Sequence, residues 1–138
     1  MGSFADWEWE KEVIQGGEVD RAFACVHMEN HWGVLCVDFK KNVLSFGDSY
    51  RRLTPPKAID AAMRWLKNTV KDFSMWENAE RNVGRFSVPP QSGGGSCGII
   101  AANAIETAVN PAAERWTPER SAFHRARFLA ILTGYCRE

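Results

Sequence analysis

The chain lacks an excess of charge of either sign, since 17 Lys and Arg balance 17 Asp and Glu over 138 residues. The whole-molecule field that draws a protein onto nucleic acid or an anionic bilayer is therefore missing, and neither is expected as a partner. Cysteine is scarce. Cys25, Cys36, Cys97 and Cys136 form no C-x-x-C pair and are too few for a small disulfide scaffold. Free thiols in a reducing, intracellular compartment, nucleus or cytoplasm, are the expectation. The first nine residues are acidic and aromatic, with no apolar stretch of the kind a secretory signal carries. Repeats and low-complexity tracts are absent, and the glycine run Gly93-Gly94-Gly95 is too short to link two domains. What remains is an ordinary globular composition, 45% hydrophobic and 25% charged, at a length that suits one domain spanning residues 1–138.

The hydrophobic pattern predicts strands over 21–28, 31–39 and 43–46, with Asp38-Phe39-Lys40-Lys41-Asn42 as a polar connection that makes the last two an antiparallel hairpin. Thr54-Pro55-Pro56 offers a cap and first-turn prolines to a helix whose apolar face is Ile59, Ala62, Met63, Leu66 and Val70. A short strand is expected over 82–88, stopped by Pro89-Pro90. From Cys97 to Val109 the apolar positions are dense enough for a helix buried on most sides and ended by Asn110-Pro111. Thr117 is the expected N-cap of a last helix that runs to about Thr133, before Gly134. Strands, helix, strand, helix, helix is an α+β order.

Gln91 to Ile100 delivers a thiol, Cys97, from a flexible glycine loop to the first turn of a helix. Unpaired amides and partial positive charge at a helix start favour a thiolate and can bind an oxyanion. Cys25, Cys36 and Cys136 lie in apolar strands or near the chain end and read as packing. A thiol enzyme needs a base that titrates near neutrality, and the histidines are His27, His31 and His124. His31 opens a strand, where an imidazole can project into a cleft, while His27 sits in mid-strand and His124 on an arginine-rich helix. Asp48, 17 positions after His31, is returned to its neighbourhood if the hairpin turns at 38–42. Taken alone, Asp48 reads as a turn aspartate in Gly47-Asp48-Ser49.

Together His31-Trp32, the aspartate of Gly47-Asp48-Ser49, and Gln91 six residues before Cys97-Gly98 resemble the ubiquitin-like-protein-specific cysteine proteases, the deSUMOylating and adenoviral-protease-like superfamily. The resemblance covers about residues 22–133, the histidine-to-cysteine half of the family domain. It implies a papain-like α+β fold of the adenain and Ulp type, a small antiparallel-containing sheet packed against the helix that carries the nucleophile. It also implies Cys97 as nucleophile, His31 as base, Asp48 as its orienting acid, Gln91 as oxyanion donor, and Trp32 beside a channel for a diglycine tail. The implied activity is peptidase or isopeptidase cleavage after the C-terminal glycine of a ubiquitin-like modifier, SUMO-type first, with no metal and no cofactor. The implied partner is that modifier or its conjugates. Ser96 stands where the family usually has Asp, a variant associated with divergent, transposon-related members. Only 30 residues precede His31, so residues 1–20 are expected to be a flexible or truncated front segment. A partner chain would then supply the missing front lobe.

Rival patterns fit less well. Ser49 in Gly47-Asp48-Ser49 matches the first block of some serine esterases, but the late Asp-x-x-His they need is broken by Ser121 before His124. Gly93-x-Gly95-x-x-Gly98, with Glu114 further on, has dinucleotide-binding spacing yet no following parallel strand to complete a βαβ unit. His27-x3-His31 has Glu29 at the wrong place for a zinc-helix motif and lies on a strand and loop. The Arg115, Arg120, Arg125 and Arg127 run reads as solvated surface. A non-catalytic binding module of the same fold and an acyltransferase with the same Cys, His and acid set are the alternatives in other functional classes.

Overall fold

A computed structural model describes residues 4–50, 54–91 and 95–135. Four strands form one sheet in the order β1 (Arg21–Met28), β2 (His31–Asp38), β3 (Val43–Asp48), β4 (Gly84–Arg85). β1 and β2 are joined by Glu29 and Asn30 alone, both with positive φ, 38° and 64°. Two left-handed residues make the primed turn that matches strand twist, and so short a link joins only antiparallel neighbours. The β2–β3 turn falls where the sequence puts it. The Asp38 carboxylate accepts from the amides of Lys40 and Lys41, each at 3.0 Å, and Asn42 closes the turn at φ 56°. β4 pairs with β3 in parallel, Ser45 opposite Gly84 and Phe46 opposite Arg85. β2 is buried along nearly its whole length, as a central strand must be, while β1 is largely exposed.

Contacts divide the chain into two compact units. The first comprises Met1–Ala24, Leu35–Phe46 and Leu53–Arg85. It holds α2 (Pro56–Thr69), whose buried residues Ile59, Ala62, Leu66 and Thr69 recur at helical spacing. Pro55, not Thr54, occupies the cap position, and no side chain caps the helix. Prolines have no amide to satisfy, so a first turn that contains Pro56 loses little by this. Phe39 packs against Trp65 and, edge-on, against the buried Trp76 at 5.9 Å between ring centres. The front segment contains a helix, α1 (Phe4–Gln15), to which the sequence reading assigned no element. The Gln15 carboxamide donates to the Thr69 carbonyl at 2.9 Å and ties α1 to the end of α2.

The expected strand over 82–88 shrinks to two residues. Ahead of it the chain forms 3₁₀ turns at Phe73–Trp76 and Ala79–Arg81. Asp72 caps the first through the Ser74 amide, and the Asn82 carboxamide donates back to Asn78 at 3.0 Å. Such short-range side-chain bonds hold backbone that would otherwise enter a ladder.

The second unit comprises Cys25–Val34, Gly47–Arg52 and Phe86–Glu138. Its centre is α3 (Cys97–Val109), found at the predicted bounds, with Ile100, Ala101, Asn103 and Ala104 buried. Asn103 is the polar exception in the apolar run, and its bonds explain it. Its amide donates to the Glu114 carbonyl at 2.8 Å and to Glu106 at 3.1 Å, and its oxygen accepts the Trp116 amide at 2.7 Å. The expected last helix is a 3₁₀ turn, Pro118–Arg120, followed by α4 (Ser121–Tyr135), which continues through Gly134. Thr117 precedes the turn without a side-chain cap bond; its carbonyl accepts from Arg120 at 3.0 Å instead. A 3₁₀ turn is a common way to open an α-helix. Arg127 of α4 grips Glu106 of α3 with two parallel bonds of 2.6 Å, and this guanidinium holds the Glu106 carboxyl below the usual carboxylate range.

Because that pKa is depressed, the stabilisation is complete above the ordinary carboxylate range and fades as pH falls through the lowered value. Glu106→Gln is expected to cost roughly 1 kcal/mol at neutral pH, with the gap to wild type closing in urea titrations as pH falls below the ordinary carboxylate range. A gap that is independent of pH would contradict it.

Gly47 supplies a second prediction. The carbonyl oxygen of Phe86 fills the space a Cβ on Gly47 would need, and Val88 lies 3.1 Å from that position. Gly47→Ala should destabilise the protein by about 3 kcal/mol. Gly84→Ala, where the nearest atom is 3.7 Å away, should stay within about 0.5 kcal/mol. Equal unfolding midpoints for the two variants would show that the close approach is not a constraint.

Candidate active site

Every residue of the sequence-derived constellation lies in the second unit. His31 opens β2 and Asp48 ends β3, so the hairpin that returns one strand beside the other carries both side chains to the same end. His31 Nε2 stands 3.3 Å from Asp48 Oδ2, and the two side chains are 2% and 0% exposed. The Tyr50 ring lies against the imidazole, tilted by 36°, at 4.5 Å between centres. A buried carboxylate facing a ring nitrogen fixes the tautomer and orientation of the ring and stabilises an imidazolium.

Cys97 is the first residue of α3 and is partly exposed. Ser96, at the cap position, makes no cap bond, so its hydroxyl leaves the first-turn amides free of a side-chain acceptor. That hydroxyl lies instead 3.2 Å from Ser121 and accepts from Arg125 at 3.0 Å. The Arg125 guanidinium also donates to the Gly95 carbonyl, where Gly95 takes φ 94°. The residue before the thiol is thereby tied to α4. Gly98 faces the indole of Trp32, whose Cδ1 is 3.6 Å from the position of a Cβ on that glycine. The residue after His31 thus lies against the residue after Cys97. Trp32 keeps 39% of its surface exposed and also meets the His27 ring at 4.8 Å.

Gln91 is held by a residue the sequence reading treated only as a rival nucleophile. The Ser49 hydroxyl donates to Gln91 Oε1 at 2.8 Å, and the Ser49 carbonyl accepts the Gln91 amide at 2.9 Å. Ser49 is 3% exposed. The only sequence signal for this contact is its position directly after Asp48. Ser92, Gly93 and Gly94 of the glycine loop, and Cys136, lie outside the described residues.

Of the other described thiols Cys36 is buried, as a packing residue would be, whereas Cys25, also read as packing, is exposed. Burial pushes the Cys36 thiol up despite a hydrogen bond with Ser45, and partial desolvation pushes up Cys25 even at the surface. His124 is fully buried beside Arg127, 3.3 Å away, and Glu114, 3.9 Å away, in the network that joins α3 to α4. Among the described residues no three His, Cys, Asp or Glu side chains gather into a group that could hold a metal ion. Nor is any helix among them long and apolar enough to cross a membrane.

A cysteine that opens a helix, beside a sheet that ends in a buried imidazole–carboxylate pair, belongs to the vocabulary of thiol hydrolases. Comparison with known proteins narrows the class. The sequence model of the Ulp1 protease family, C-terminal catalytic domain, matches residues 7–122. The chain belongs to that family of cysteine proteases. It is 26% identical over 116 residues to ubiquitin-like-specific protease 1A of Arabidopsis thaliana, a match that takes in 80% of this chain and 22% of the plant protein. In fold it is similar to the C-terminal Ulp1 protease domain solved in complex with Smt3, the yeast ortholog of SUMO, with a TM-score of 0.56 at 23% identity over 91% of this chain and 57% of that one. It is similar also to the SUMO protease Ulp1 with its catalytic cysteine oxidised to a sulfonic acid, with a TM-score of 0.55 at 19% identity over 86% of this chain and 55% of that one. The chain therefore spans about a fifth of the plant relative and little more than half of the solved domains.

At neutral pH iodoacetamide should modify Cys97 well ahead of Cys25 and Cys36, whose raised pKa values keep them protonated until the solution is more alkaline than the ordinary thiol range. Peptide mass mapping against time checks this. Labelling of Cys36 as fast as Cys97 at neutral pH would contradict it.

Proposed function

We propose that this chain is a cysteine peptidase that cleaves after the C-terminal glycine of a ubiquitin-like modifier, SUMO-type in the first instance, acting as isopeptidase and precursor hydrolase. The observation that carries the reading is the buried His31–Asp48 pair, 3.3 Å apart, in a chain of the Ulp1 family whose Cys97 opens α3. A carboxylate and an imidazole enclosed together have no evident packing purpose that apolar residues would not serve as well. As a base and its orienting acid they have a clear one.

In this reading Cys97 Sγ attacks the carbonyl carbon of the terminal glycine while His31 takes the thiol proton. The tetrahedral oxyanion rests between the Gln91 carboxamide and the Cys97 amide at the start of α3. His31 returns the proton to the leaving amine, and water then hydrolyses the thioester with His31 again as base. Asp48 holds the ring throughout. Trp32, exposed and set against the small Gly98, flanks a passage that suits a diglycine tail and excludes bulkier side chains. Sulfur, imidazole and carboxylate supply this chemistry without a cofactor. The solved relative bound to Smt3 supports a ubiquitin-like partner.

Incubation of the full chain with SUMO, ubiquitin and their relatives, each carrying a C-terminal electrophile, tests the reading. A covalent adduct on Cys97 with at least one modifier is expected, and Cys97→Ser should form none. Gln91→Ala should lower turnover of the matching fluorogenic modifier about 10²-fold while iodoacetamide still labels Cys97 at the wild-type rate. If iodoacetamide labels Cys97 but no modifier does, the chain is a binding module. Consumption of acetyl-coenzyme A would mark it as an acyltransferase.

A further inference from the structure

A glutamine carboxamide has two nearly isosteric ends of opposite polarity, and its last torsion is broad and roughly two-fold. As an oxyanion donor it works only with Nε2 forward; with Oε1 forward it would repel the developing charge. Something must therefore choose between the two. In this chain Gln91 is bound twice by a single residue, through its backbone amide to the Ser49 carbonyl at 2.9 Å and through Oε1 to the Ser49 hydroxyl at 2.8 Å. The two bonds close a small ring that spans the side-chain torsions of Gln91. They also occupy the oxygen end, which leaves the nitrogen end to donate elsewhere. Ser49 is buried, so water does not compete well for that hydroxyl.

We infer that Ser49 is a positioning residue for the oxyanion site, setting the Gln91 carboxamide with Nε2 towards the reacting carbonyl. The inference rests on the peptidase reading above. Asp48 and Ser49 then form one device at the end of β3: successive residues there point in different directions. Asp48 turns to the imidazole and Ser49 to the carboxamide. One strand end thereby sets both the base and the donor for the oxyanion. Ser49 itself is placed to donate to Gln91 and not to attack a substrate, which also disposes of the esterase pattern in Gly47-Asp48-Ser49.

The test joins kinetics to a spectrum that needs no substrate. With SUMO bearing a C-terminal aminomethylcoumarin, Ser49→Ala should lower kcat about tenfold, less than the roughly 10²-fold loss for removal of the donor itself. KM and the iodoacetamide rate at Cys97 should stay within about twofold of wild type. In a Gln91→Ala background the same substitution should cost nothing further, and Ser49→Thr, which keeps the hydroxyl, should recover most of the rate. The Gln91 side-chain amide protons should be slowly exchanging in wild type and lose that protection in Ser49→Ala. Additional loss in the Gln91→Ala background, slowed alkylation of Cys97, or an unchanged amide spectrum would each overturn the inference. If the wild-type chain turns over no modifier, the peptidase reading falls and the oxyanion role with it, while the amide spectrum still decides whether Ser49 sets the carboxamide.

Discussion

Enclosing an imidazole and a carboxylate in protein is costly unless their charges can offset one another, and His31 Nε2 and Asp48 Oδ2 stand 3.3 Å apart at the end of the β2–β3 hairpin. Several local features hold that pair. The turn at Phe39–Asn42 sets the hairpin register that brings residue 48 back to residue 31, and the Asp38 carboxylate fixes the turn. Tyr50 packs against the imidazole. Gly47, next to the aspartate, has no side chain because the Phe86 carbonyl occupies its place. That approach brings residues 86–91 alongside the end of β3, and so delivers Gln91 to Ser49.

The other half of the chemistry is carried by α3. Its apolar run buries the helix, while Asn103 pins the following loop at Glu114 and Trp116, and Glu106 engages Arg127. These bonds fix a helix whose first residue is the thiol. At that end Arg125 ties Gly95 and Ser96 to α4, a tether that replaces the cap a side chain would otherwise give. Ser96, where the family usually has Asp, leaves no carboxylate at the cap position of this helix.

Much of this was legible in the sequence because it depends on local rules. Asn110-Pro111 ends α3 where the pattern says, and the polar 38–42 connection makes the hairpin arithmetic for His31 and Asp48 work. Long-range partners were not legible. Asn103 reads as a stray polar residue until its partners 11 and 13 positions away, the Glu114 carbonyl and the Trp116 amide, are folded against it. Ser49 reads only as a rival nucleophile until Gln91, 42 positions on, closes over it. β4 keeps only Gly84 and Arg85 of the expected 82–88, and at its start the Asn82 carboxamide bonds back to Asn78, which periodicity does not register. α1 alternates acidic and aromatic residues without an apolar stripe, so no helical period announces it.

The central claim is that the Cys97 sulfur and the His31 ring work in one cleft. Nitrogen-15 spectra of the imidazoles, taken before and after Cys97 is carboxamidomethylated with iodoacetamide, test it most directly. The His31 ring signals should move on modification while those of His124, enclosed between α3 and α4, stay in place. His31 signals indifferent to the modified thiol would contradict the shared cleft and, with it, the peptidase.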